Sequence, residues 1–130
     1  MSGLKTGLKS TAETEVIFSN TAAAVGSGKL QVFGTPCMAA LMEKAAMEAV
    51  QPYLEGNEGT VGTEINIQHL APSPMGMVVT AEAELTKIEG KILTFDVTCR
   101  SRQEVIGRGT HKRAIIDNMD FMARAIEKRK

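Results

Sequence analysis

Sixteen consecutive residues, Thr35 to Val50, read TPCMAALMEKAAMEAV and constrain the fold of this chain more than any other stretch. Alanine, leucine and methionine are strong helix formers and sustain the helix. Thr35 is expected to cap the helix, its hydroxyl accepting from a first-turn N–H. Pro36 suits the first helical position, where its missing N–H is harmless. Gln51-Pro52 supplies the stop, because the residue before a proline disfavours helical backbone. The helix is apolar nearly all the way round, which predicts burial. Lys44, Glu48 and Gln51 form its polar stripe. Glu43 lies off that stripe, toward Ala39, Ala40, Ala46 and Met47, at about 100° of turn per residue. A carboxylate placed there either reaches water at the boundary or must be paired or used.

The rest of the chain reads mainly as strands. A first strand is expected where Thr14, Val16 and Phe18 alternate with Glu13, Glu15 and Ile17, after a loose segment 1–10. Residues 19–34, with three alanines and Gly26-Ser27-Gly28, read as a flexible segment that either closes over the helix start or merely connects. After a turn at Gly56 to Gly59, residues 61–70 alternate, and His69 falls in phase with Ile65 and Ile67. Two clean amphipathic strands, 77–88 and 92–101, flank the turn Glu89-Gly90-Lys91. A last strand is expected over 104–116, with Gly107 and Gly109 allowing a bulge or close backbone approach. Asp117 or Asn118 then caps a final amphipathic helix. One long apolar helix and an antiparallel sheet with one dry face imply an α+β, hot-dog arrangement, a curved antiparallel sheet wrapped around a long central helix. The exposed sheet edge and apolar faces imply a homodimer, with a tetramer left open.

Composition excludes several classes. The 130 residues suit one domain spanning 1–130, and 15 basic residues balance 15 acidic ones, so no nucleic-acid partner is expected. No apolar run spans a membrane and no signal-peptide pattern is visible, so the expected location is cytoplasmic. Cys37 and Cys99 sit in apolar stretches and read as reduced, buried thiols. No metal or nucleotide-phosphate motif occurs, so neither a metal nor a cofactor is expected.

The segments Leu41-Met42-Glu43, Pro52 to Glu55, Glu58-Gly59, Gly62-Thr63, His69, Thr80 to Leu85, Ile106-Gly107, Gly109-Thr110-His111 and Arg113-Ala114 together make the chain resemble hot-dog thioesterases of the fluoroacetyl-CoA-specific type. The resemblance covers roughly residues 30–127. It implies that Thr35, Glu43 and His69 form the catalytic group. It places Gly62 near the substrate carbonyl and Arg113 toward CoA, with a CoA thioester as substrate and no cofactor. The family's fluoroacetyl-specific member has an aromatic lid before the helix. Here that region is Gly26-Ser27-Gly28-Lys29-Leu30, with only Phe33 close to the helix and the substrate, so fluoroacetyl specificity is not expected.

The residues themselves permit this chemistry. Thioester hydrolysis needs a nucleophile or activated water, a base, and donors for the oxyanion. Glu43 suits a base or nucleophile, His69 a proton carrier, and Thr35 a hydroxyl next to helix N–H groups. Each also has a plain structural use: Thr35 as a cap, His69 as a satisfied imidazole, Arg113 as a solvated strand residue. The expected function is an acyl-CoA thioesterase acting on a small or medium acyl group. A hot-dog hydratase or dehydratase and a non-catalytic acyl-CoA-binding module remain as alternatives.

Overall fold

The computed structural model describes residues 3–129. Strands β1 (Lys9–Glu15), β2 (Glu58–His69), β3 (Val78–Glu89), β4 (Ile92–Ser101) and β5 (Glu104–Asp117) form one antiparallel sheet in the order β1-β3-β4-β5-β2. The elements include a short helix α1 (Ala22–Val25), the long helix α2 (Thr35–Val50) and a terminal helix α3 (Asn118–Glu127). The sheet curls around α2, which packs chiefly on β3 and β1. This is the hot-dog arrangement that the sequence implies. What the sequence does not reveal is that β2, although followed directly by β3, lies at the far edge and pairs with β5.

The core follows the alternation of each strand. Val79, Ala81, Ala83 and Leu85 from β3, and Leu93, Phe95, Val97 and Cys99 from β4, are buried against Met38, Leu41, Met42, Ala45, Ala46, Ala49 and Val50 of α2. Alanines on both surfaces let helix and sheet approach closely, while methionines fill the uneven gaps. The exposed side of α2 runs through Ala40, Lys44 and Glu48, at four-residue spacing. A satellite turn at Gln51–Tyr53 ends the helix where Pro52 requires it.

Three expectations change. Gly34, not Thr35, occupies the N-cap, in extended backbone and without a side-chain cap bond, and Thr35 is the first helical residue. The reason is that Pro36 tolerates either of the first two helical positions, so the helix starts one residue earlier. Among residues 1–10, positions 1 and 2 lie outside the described residues. The remainder is not loose: Leu4 and Leu8 pack on the core, Gly7 N–H donates to the Leu85 carbonyl at 2.7 Å, and Lys9 and Ser10 begin β1. The first strand also ends before Phe18, which enters a 3-10 turn, Phe18–Asn20, and is exposed.

The segment before α2 is tied down. Thr21 caps α1 by accepting from Ala24 N–H at 3.2 Å, and Ala22 and Ala23 donate to the carbonyls of Val32 and Leu30. Phe33 N–H donates to Ser73 and Gly34 N–H to Asn20, both at 2.9 Å. These bonds fix residues 31–34 as a platform from which α2 starts.

Candidate active site

Freed from capping, the Thr35 hydroxyl meets His69 at the C-terminal end of β2, with Oγ1 and Nδ1 2.8 Å apart. In the tautomer that leaves Nδ1 unprotonated, the hydroxyl donates to the ring, which is the geometry of a nucleophile beside its base. Burial pushes the His69 imidazole below its ordinary value, partly offset by the Ala71 carbonyl, so the ring stays neutral at pH 7. Its Nε2 is buried, with the Ala71 carbonyl nearby but no hydrogen bond of full geometry. The pair lies in a pocket of about 320 Å3 whose other walls are Ala22, Ser27, Val32, Phe33, Leu70, Ala71 and Pro72. Of the first-turn N–H groups, those of Cys37 and Met38 already donate to the Gly34 carbonyl, and Pro36 has none. The Thr35 N–H is the donor that remains for an oxyanion.

A second group gathers further along the same two elements. Glu43 is eight residues beyond Thr35, about 12 Å of helical rise. Its Oε1 stands 3.5 Å from Nη1 of Arg113, whose side chain is 8% exposed against 39% for Glu43. Arg113 is held from behind: Nε donates to Thr60 Oγ1 at 2.8 Å and Nη2 to the Thr60 carbonyl at 3.0 Å. Its third partner is His111, whose Nε2 lies 3.2 Å from Nη1 while Nδ1 lies 2.7 Å from the Glu64 carbonyl. A carbonyl only accepts, so Nδ1 of His111 carries the proton and Nε2 receives Arg113. Burial lowers the His111 imidazole from its ordinary value and Arg113 lowers it further, against opposing effects of the Glu64 carbonyl and Glu43. The ring also stacks on Phe95, centroids 6.1 Å apart.

Gly62 is where backbone and carboxylate meet. A Cβ there would lie 2.6 Å from Glu43 Oε1, 3.2 Å from His111 Cε1 and 3.4 Å from Arg113 Nη1. Only glycine leaves room for the carboxylate in this place. Plain alternation would turn Gly62 outward with Glu64 and Asn66, because seven residues separate it from His69. A bulge between Gly62 and Glu64 adds one residue, so Gly62 pairs with buried Arg113 while Ile65, Ile67 and His69 keep the same face.

Thus the predicted residues fall into two half-sites within one protomer. Thr35, His69 and Phe33 share one, and Glu43, Gly62 and Arg113 share the other. Arg113 spends its donors on Thr60, His111 and Glu43. His111 was not singled out by sequence reasoning. The signal was present, since it lies two residues before Arg113 on the same face of β5. Neither cysteine is a competing nucleophile: burial raises both thiols, Cys99 to about 11. No cluster of His, Cys, Asp or Glu suited to a metal ion occurs among the described residues. Among the described residues no helix is long and apolar enough to cross a membrane.

Comparison with known proteins places the chain in a family. The profile of the family "Fluoroacetyl-CoA-specific thioesterase" matches residues 16–119. A fluoroacetyl-CoA thioesterase from Streptantibioticus cattleyicolor is 43% identical over 98 residues, which is 75% of this chain and 70% of that one. The structure of the fluoroacetyl-CoA thioesterase FlK superposes with a TM-score of 0.90 at 35% identity, covering 98% of each chain. A variant of the same enzyme, solved with fluoroacetate and CoA, gives a TM-score of 0.85 at 35% identity over 91% of this chain and 99% of that one.

Proposed function

The chain belongs to the fluoroacetyl-CoA-specific thioesterase family, and from that premise we propose that it hydrolyses a small or medium acyl-CoA at a site assembled from two protomers. Acyl-CoA thioester hydrolysis is its activity. The observation that carries the site assignment is the 2.8 Å contact of Thr35 with His69 in a pocket whose other walls are apolar but for Ser27. In the proposed reaction Thr35 Oγ1 attacks the thioester carbon as its proton passes to His69. The oxyanion is met by the Thr35 N–H. Collapse breaks the C–S bond, and the departing thiolate takes the proton from His69. A water deprotonated by Glu43 then attacks the acyl-threonine ester, releasing the acid and restoring the hydroxyl. No cofactor enters these steps beyond the CoA of the substrate.

The second protomer enters through β2. The opposite edge, β1, is blunted by exposed Lys9, Glu13 and Glu15. The β2 edge instead offers half-buried Val61, Ile65 and Ile67, and α2 of the same chain covers little of that side. Antiparallel pairing of two β2 strands sets the Gly62 end of one against the His69 end of the other. Glu43 and Arg113 then face the partner's Thr35 and the partner's His69. The homodimer is therefore part of the proposal, as is a cytoplasmic location, which suits two free thiols. The lid region supports a substrate other than fluoroacetyl-CoA, because Ser27 and Ala22 line the pocket where an aromatic lid would close.

Thiol release from a panel of acyl-CoAs, run with Glu43→Gln beside the parent, tests this reading. Turnover by the parent that is lost in a folded, dimeric variant is expected. Tight binding of CoA esters with no turnover of any would replace the enzyme with a binding module.

A further inference from the structure

We propose that Phe33 is the chain-length stop of the acyl pocket, the wall that confines this enzyme to short acyl groups. The inference rests on the thioesterase reading and deepens it. Phe33 is 1% exposed and borders two separate cavities. On one side is the pocket of about 320 Å3 that holds Thr35 and His69. On the other is a cavity of about 350 Å3 lined by Cys37, Ala40, Leu41 and Lys44 of α2 together with Glu13, Thr14 and Asn20.

The direction of the acyl chain follows from chemistry. The CoA portion is large and anionic and must stay on the open side. The acyl group is the apolar part, and with its carbonyl at Thr35 it must run along Ala22, Val32 and Ala71 toward Phe33. The backbone bonds of Phe33 to Ser73 and of Gly34 to Asn20 hold the ring's base in place. Each cavity alone sits at the bottom of the range for small-molecule sites, roughly 300–1,000 Å3. Joined, they would form one channel along α2 from Thr35 to Lys44.

The test is a ladder of straight-chain acyl-CoAs from acetyl to decanoyl, assayed by thiol release with the parent, Phe33→Leu and Phe33→Ala, each checked for folding by circular dichroism. In the parent, kcat/KM should fall at least about tenfold from the short to the octanoyl ester, the scale on which a closed hydrophobic pocket discriminates. In the variants the octanoyl-to-acetyl ratio should rise at least about tenfold, more for alanine than for leucine. A ratio unchanged in a folded variant overturns the proposal. A parent that accepts octanoyl-CoA as readily as acetyl-CoA overturns it whatever the variants do. A parent that turns over no acyl-CoA at all removes the thioesterase reading itself, and this proposal with it.

Discussion

Replacing Gly62 with alanine separates position from stability at this site. The added Cβ would stand 2.6 Å from Glu43 Oε1, so the carboxylate must retreat about 0.8 Å to reach the 3.4 Å at which ordinary contact begins. Glu43 can do so because Oε1 is the end of a flexible, partly exposed side chain. His111 and Arg113 must give only a few tenths of an ångström, at 3.2 and 3.4 Å. A misplacement near 1 Å costs roughly 10²-fold in rate, or about 2.7 kcal/mol of barrier. The folded state loses far less. The Glu43–Arg113 pair is partly solvated, so its weakening costs about 1 kcal/mol at most, a Tm shift of about 4 °C for a chain of this size. Steady-state thiol release and a thermal melt read the two quantities on one sample. In a Glu43→Gln background the same change should add little, because the group it displaces is already disabled. A Gly62→Ala enzyme with full kcat would refute the role of Glu43 in this place. A Tm fall of about 10 °C or more would show that glycine serves the fold rather than the carboxylate.

Thr35→Val should cost turnover about 10²-fold or more while changing stability by less than about 1 kcal/mol, since the hydroxyl bonds His69 and caps nothing. Thr35→Ser should retain most activity, and equal rates in the valine and parent enzymes would remove Thr35 from the chemistry. The acid limb of kcat/KM should lie below pH 6.5, because burial holds the His69 imidazole below that ordinary value. Stability should follow the same sign. The unfolded chain protonates His69 and His111 first, so their contribution is present above pH 6.5 and is lost as pH falls through the lower folded values. Chemical denaturation between pH 7.5 and 5 measures this, and greater stability at pH 5 would contradict it.

Much of this was legible in the sequence because it depends on periodicity. The stop of α2 at Gln51-Pro52, the limits of β4 and β5, the inward phase of His69 and the cap at Asp117 all follow from local chemistry. Three features were not legible. Thr35 looked like a cap because threonine before proline usually is one, and only the fold shows Gly34 taking that place. The position of β2 at the sheet edge is a matter of topology, to which alternation is blind. The inward turn of Gly62 depends on one bulged residue, and Val61-Gly62-Thr63-Glu64 carries no mark of it. His111 carried a signal, two residues before Arg113 in one strand, but its contact with the Glu64 carbonyl across to β2 is set by the fold.

The placement of the two half-sites makes a stringent demand on the assembly. α2 and β2 run antiparallel, so Gly62 lies beside Glu43 and His69 beside Thr35, with about 23 Å of strand between Gly62 and His69. Within one chain Thr35 and Glu43 are eight residues of helix apart, about 12 Å of rise. In the proposed dimer a two-fold axis through the β2 edge would bring the two groups together, because antiparallel pairing exchanges the ends. The consequence is complementation. A Thr35→Val chain lacks the hydroxyl but keeps Glu43, and a Glu43→Gln chain lacks the carboxylate but keeps Thr35. Each variant homodimer should be inactive. A heterodimer owns one composite site with both groups intact and one with neither. Co-expressed under two affinity tags and mixed at random, the two chains should recover about a quarter of parental activity, and the doubly purified heterodimer about half. If each site were built within one chain, every site in the mixture would lack one group and activity would stay at the level of the inactive parents. That result would confine catalysis to the protomer and leave the β2 edge without a catalytic role.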